Sequence, residues 1–249
     1  NSVPWKIISY PKEPEFPIYP VLKKEILRDF IVSIFLGFLI GYLREKFDNV
    51  FHESSELLDY IDKPILETIP YLSIFEGVRE SKTNLFEKLK ISNDLEVKET
   101  KLKNYEKFVY QEAFRNLYTS IRFLRADKEI KSIVFTSSIP NEGKSAISLV
   151  LAKTISELDK KVLIIDADLR KSQLHFRLGI DNFNGLSNII TDSNKSWKDA
   201  VKKIPNYKNL SVITAGITPP DPTRLLNSNR MKELIHQIED SNEFDFIII

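Results

Sequence analysis

The chain has 249 residues, which suits one large domain or a domain with appendages. Its 36 Lys and Arg against 35 Asp and Glu leave a net charge of +1, so no global field argues for nucleic acid, and a hydrophobic content of 42% supports a proper core. Without Cys there is neither a disulfide nor a thiolate metal site; His52, His175 and His236 show no ligand spacing, so any metal must take oxygen ligands, as Mg²⁺ does.

Pro11, Pro14, Pro17 and Pro20 recur every third residue. The spacing fits either a stiff polyproline II arm or an ordinary Pro-rich linker. Phe30–Leu43 is uncharged and would span about 21 Å as a helix, short of a bilayer's core of about 30 Å. Extending it back toward Val21 adds length but brings in Lys23, Lys24, Glu25, Arg28 and Asp29. Hydropathy alone therefore fits a membrane helix or a buried core helix. Basic residues flank both ends, so charge does not fix an orientation.

Ser54 and Ser55 ahead of Glu56–Ile61 predict a short capped helix. Ile65–Leu72, interrupted by Pro70, reads as one strand. Residues 73–103, rich in Lys, Glu, Asn and Ser, read as a linker with partial helicity. From about Glu106 the pattern turns α/β. It predicts a helix over Phe108–Leu124, strands at 131–136, 161–166, 210–214 and 244–249, and a helix at 144–158. Short helices are expected at 186–190 and 197–201, and a longer helical stretch follows Asp221-Pro222-Thr223. Strands alternating with helices imply a mostly parallel sheet covered on both faces, with a ligand at the strands' carboxyl ends. There is no initiator Met, and 244–249 reads as a buried strand with nothing after it. The chain therefore reads as a piece of a longer protein.

One segment carries the chemistry. Ser137-Ser138-Ile139-Pro140-Asn141-Glu142-Gly143-Lys144-Ser145 ends in the Gly-Lys-Ser of a phosphate-binding loop. It lies between an apolar run, Ile133-Val134-Phe135, and a helical pattern starting at Ala146. That strand–loop–helix context is what a P-loop requires. Backbone N–H groups over Asn141–Ala146 can face phosphate oxygens, Lys144 supplies a point charge, and the Ser145 hydroxyl can bind Mg²⁺. One helix later, Ile164-Ile165-Asp166-Ala167-Asp168-Leu169-Arg170 ends a strand in two carboxylates and an Arg. Asp166 and Asp168 would lie beside the phosphates and the metal.

The form Ser-x-Pro-x-Glu-Gly-Lys-Ser with Ile-Ile-Asp-x-Asp-x-Arg resembles the bacterial tyrosine kinases, a P-loop NTPase family related to the ParA/MinD-type ATPases. It departs at Asn141, where that family usually has Gly. Ile139 stands where the ParA/MinD-type enzymes carry a second Lys. The Pro-rich arm, the apolar helix, Glu53-x-x-Glu56-Leu57 and Pro64-Ile65-Leu66-x-x-Ile69-Pro70 look like the end of a polysaccharide co-polymerase (Wzz-like) module. The resemblance implies an extracytoplasmic arm over 1–24, a transmembrane helix over 25–44, a juxtamembrane linker over 45–105 and a cytoplasmic kinase domain over 106–249, at a bacterial inner membrane. Glu112-Ala113-Phe114-Arg115-Asn116-Leu117 is similar to the family's oligomerisation helix, with Tyr118 where its second Arg stands. The implied activity is ATP·Mg²⁺-dependent phosphorylation of tyrosines in a neighbouring subunit's tail, in control of polysaccharide chain length and export. Lys144, Asp166, Asp168 and Arg170 would be catalytic. Ser145, Asp166 and Asp168 would hold the metal, and Glu112 and Arg115 would make the oligomer contact. The family's last carboxylate would follow Ile249, and its tyrosine-rich tail would lie beyond. Alternatives are a polysaccharide export regulator that only binds ATP and a ParA/MinD-like ATPase.

Overall fold

The computed structural model describes residues 22–48, 54–61, 63–71, 98–125, 129–140, 142–205 and 207–249. The Pro-rich arm, most of the linker and Asn141 lie outside the described residues. The chain divides into two compact units, one ending at Lys63 and one running from Pro64 to Ile249.

The first unit holds α1 (Leu22–Phe47) and α2 (Ser54–Tyr60). The 26 residues of α1 give a length of about 39 Å, enough to cross a bilayer's hydrocarbon core. None of its residues is buried, and Phe30, Ile31, Phe35, Phe38 and Ile40 are all exposed. A helix with a wholly apolar middle belongs inside a protein or inside a membrane, and among the described residues nothing buries this one. Its first turns gather charge locally. Arg28 reaches Glu25 at 2.5 Å and Asp29 at 3.0 Å, so Asp29 keeps a partner beside it. Arg44 and Lys46 complement the dipole in the last turn.

The second unit is built on a five-stranded sheet in the order β1-β5-β2-β4-β3: β1 (Ser132–Ile133), β2 (Val162–Ile165), β3 (Val201–Ile204), β4 (Tyr207–Ile213) and β5 (Phe246–Ile248). β1, β5, β2 and β4 run parallel, and β3 pairs antiparallel with β4 at the edge. The period-2 geometry of a strand splits β2 between two cores. Val162 and Ile164 face one cluster, and Leu163 and Ile165 face the other. The first cluster is closed by α3 (Lys98–Phe123) through Phe114, Leu117 and Ile121, and by α4 (Lys144–Ser156) through Leu149, Leu151 and Ile155. The second is closed by α6 (Leu186–Thr191) and by α8 (Asn229–Asp240) through Met231, Leu234 and Ile238. α5 (Leu174–Leu178) and α7 (Pro222–Leu226) complete the helices. Each fully buried Leu or Ile contributes about 1.5–3 kcal/mol, so both faces are held by burial rather than by ion pairs.

Several expectations are corrected. Residues 64–71 belong to no strand. Pro64 and Pro70 cannot donate to a ladder, and Leu66 and Ile69 pack on the core instead. α3 begins at Lys98, ten residues before the expected start at Phe108. Residues 197–200 form a 3₁₀ turn, and Val201 already starts β3, a strand not foreseen. α5 was not foreseen either. β1 is shorter than the predicted 131–136, although Phe135 N–H still donates to Ile249 C=O at 2.8 Å.

Candidate active site

The loop between β1 and α4 is shaped by its own side chains. Gly143 is the N-cap of α4 and has φ 93°, a left-handed conformation that favours glycine. Its carbonyl accepts from the N–H groups of Ala146 and Ile147, both at 2.9 Å. The N–H groups of Lys144 and Ser145 belong to the first turn, where helical donors have no intrahelical partner. Glu142 does not project freely. One of its carboxylate oxygens accepts from the N–H groups of Ser138 at 3.0 Å and Ile139 at 3.4 Å, closing the loop on itself. Lys144 Nζ donates to Ser137 Oγ at 2.7 Å, and that hydroxyl donates to the Ile139 carbonyl at 2.8 Å. The lysine is thus folded back over the loop it serves.

β2 delivers the acidic pair to the same place. Val162–Ile165 are buried, and the strand's carboxyl end releases Asp166 and Asp168 beside α4. A cavity of about 320 Å³ lies between Phe135, Lys144, Ser145, Asp166, Asp168 and Ile249. The carboxyl ends of three neighbouring parallel strands, β1, β5 and β2, therefore open into one space.

The two carboxylates differ. Asp166 is 8% exposed. Its Oδ1 accepts from Asp168 N–H at 3.1 Å and its Oδ2 from Ser172 Oγ at 2.7 Å. Burial raises its pKa above the ordinary carboxylate value, against these hydrogen bonds, which lower it. Asp168 is exposed, and its Oδ1 accepts from the N–H groups of Arg170 at 3.3 Å and Lys171 at 2.9 Å. Arg170 does not point back at the acidic pair; its guanidinium donates to Thr223 Oγ1 at 3.0 Å, tying the loop to the start of α7. Thr223 stands on that helix because Asp221 caps it and Pro222 fixes its first turn.

The donor set suits a hard cation. Ser145, Asp166 and Asp168 offer oxygen only, and no group of three or more His, Cys, Asp or Glu gathers among the described residues. Mg²⁺ is commonly held by one or two carboxylates together with phosphate oxygens, so this set fits a metal that arrives with a nucleotide.

Glu112 and Arg115 lie far along α3 from this loop in sequence and pair with each other at 3.3 Å, both about half exposed. Tyr118 is not on that surface. It is buried, and its ring stands edge-on to Phe246 with centroids 5.9 Å apart. Tyr110 is buried too, and burial pushes its hydroxyl up to about 12. Ser172 and His175, which the structure sets beside Asp166, are not among the residues expected at the site. The legible signal was Ser-x-x-His one residue after Asp-x-Asp-x-Arg, but it carried no chemistry until the fold placed Ser172 on Asp166.

No family model matches the chain. Tyrosine-protein kinase ptk of Acinetobacter johnsonii is 31% identical over 244 residues, 98% of this chain and 31% of that protein. Tyrosine-protein kinase YwqD of Bacillus subtilis is 39% identical over 131 residues, 53% of this chain and 54% of that protein. The chain thus spans about a third to a half of the length of these relatives. The kinase domain of Escherichia coli tyrosine kinase ETK superposes with a TM-score of 0.62 at 27% identity, over 80% of this chain and 72% of that domain. Along nearly its whole length this chain is similar to bacterial tyrosine-protein kinases, and it shares the α/β fold of their kinase domain.

Proposed function

We propose that this chain is the nucleotide-binding part of a membrane-anchored, ATP-dependent protein-tyrosine kinase, working at a bacterial inner membrane in polysaccharide chain-length control and export. The observation that carries the reading is the single cavity shared by Lys144, Ser145, Asp166 and Asp168. The similarity to tyrosine-protein kinases supports the choice of acceptor, and the length and apolarity of α1 support the anchor.

In this reading the backbone over Asn141–Ala146 and the N-terminus of α4 bind phosphate oxygens. Lys144 leaves Ser137 and moves to the β- and γ-phosphates. Ser145, Asp166 and Asp168 hold Mg²⁺, which when bound neutralises charge on the phosphates. The tyrosine oxygen attacks the γ-phosphorus, the bond to the bridging oxygen breaks, and ADP carries that oxygen away. An aspartate of the pair takes the hydroxyl proton. Arg170 holds the acidic loop against α7 through Thr223. Catalysis of this kind is mostly positioning and charge stabilisation. Glu112 and Arg115 meet opposite charges on a neighbouring copy, bringing one subunit's tail to another's site.

The test measures where the γ-phosphate goes when the protein, carrying a tyrosine-bearing tail, is given Mg·ATP. The kinase reading expects phosphotyrosine by mass spectrometry, absent in Lys144→Ala. Release of inorganic phosphate without phosphotyrosine would instead support a ParA/MinD-like hydrolase. Binding with neither product would support an export regulator.

A further inference from the structure

Asp166 owes its pose to more than its own loop. Ser172 Oγ donates to Asp166 Oδ2 at 2.7 Å, and Ser172 Oγ also lies 3.0 Å from His175 Nδ1. An ionised carboxylate only accepts, so Ser172 spends its hydrogen on Asp166 and receives one from His175. This fixes the histidine as the form that carries hydrogen on Nδ1, an assignment made from the network. A serine hydroxyl alone is a free rotor. With His175 occupying its oxygen, the hydrogen is directed to Asp166.

His175 is itself held. It stands on α5, whose Leu174 and Leu178 are buried in the core and which Gly179 ends at φ 66°. Its ring lies against Phe176 with centroids 3.9 Å apart. His175 also lines a separate open cleft of about 480 Å³, together with Phe176, Asn182, Phe183 and Ile217. The line His175–Ser172–Asp166 therefore runs from a second cleft to the proposed metal site.

We propose that Ser172 and His175 are positioning residues that hold the Asp166 carboxylate in the orientation required to receive Mg·nucleotide. The inference rests on the nucleotide-site reading above. It predicts a specific defect: lost coupling between metal and nucleotide, rather than lost nucleotide binding. Partners of metal-binding carboxylates and histidines typically contribute about 10–100-fold to metal affinity or activity.

The experiment is calorimetric titration of the full chain with ADP, with and without Mg²⁺. The wild type should bind ADP more tightly with Mg²⁺. Ser172→Ala should reduce that gain by about tenfold or more while metal-free ADP affinity stays within twofold. Ser172→Thr, which keeps the hydroxyl, should restore the gain. His175→Phe, which keeps a ring against Phe176 but has no Nδ1–H, should lose a smaller part of it. If Ser172→Ala and His175→Phe both retain the full gain, the inference is overturned. Lys144→Ala separates the two levels: unchanged ADP affinity in that variant overturns the nucleotide site and this inference with it.

Discussion

Helices α1 and α4 are both apolar around most of their circumference, yet α1 buries no residue and α4 buries Ser148 through Ser156 without a break. What separates them is where charge is allowed. α1 carries Glu25, Arg28 and Asp29 at one end, Arg44 and Lys46 at the other, and none from Phe30 to Leu43. α4 keeps Lys153 in its third turn, only 6% exposed. The protein supplies that lysine with Glu157 at 2.7 Å and the Tyr207 ring at 5.9 Å. A protein interior can be built around a charge, whereas lipid cannot. The clean middle of α1 is therefore the better mark of a membrane helix than its apolarity.

Four experiments would break or sharpen this contrast. Leu149 is fully buried, so Leu149→Ala should destabilise the α/β unit by about 2–5 kcal/mol in chemical denaturation, while Leu39→Ala in α1 should leave that unit's midpoint unchanged. Leu39→Arg should cost about 3–4 kcal/mol of membrane insertion, read as loss from the membrane fraction. A soluble, fully folded protein with α1 intact and no detergent would defeat the membrane assignment.

The third experiment concerns Asp166. Burial raises its folded pKa above the ordinary 3.8, so the native state binds this proton more tightly than the unfolded chain does. Metal-free protein should lose stability as pH rises from about 3.8 through the raised value, then level off. Asp166→Asn should lack that component of the pH dependence, seen as a difference between the two melting-temperature profiles that fades toward low pH. Identical profiles would mean that Asp166 carries no such cost.

The smallest effect belongs to α3. Glu112 and Arg115 are half exposed, and such pairs contribute about 0.3–0.5 kcal/mol to a helix. Arg115→Glu should barely move the melting temperature. It should, however, shift sedimentation toward monomer if like charges then meet in each contact of an assembly. Unchanged sedimentation would leave the pair a surface ion pair.

Much of this was legible in the amino acids. The P-loop, the acidic strand end and the alternation of helix and strand follow from local chemistry: a glycine able to adopt φ > 0, a buried apolar run, a helical repeat. What stayed hidden depends on partners distant in sequence. β3 is a strand because β4 lies beside it, and its Lys202 and Lys203 disguised it. Residues 64–71 looked like a strand, but their prolines leave them only packing to offer. Tyr118 stands where the resembled family's second Arg is expected, and Phe246, far along the chain, makes it core. Ser172 and His175 had no visible role until the fold set Ser172 between Asp166 and the His175 of α5.

The most direct test of the central claim is the affinity of the chain for Mg·ATP with and without the Lys144 ammonium. A hydrogen bond to a charged group contributes about 1.5–3 kcal/mol, so Lys144→Ala should weaken binding by roughly 10–100-fold in a calorimetric titration, with the far-ultraviolet spectrum unchanged. A folded Lys144→Ala protein that binds Mg·ATP as tightly as the wild type would contradict the account.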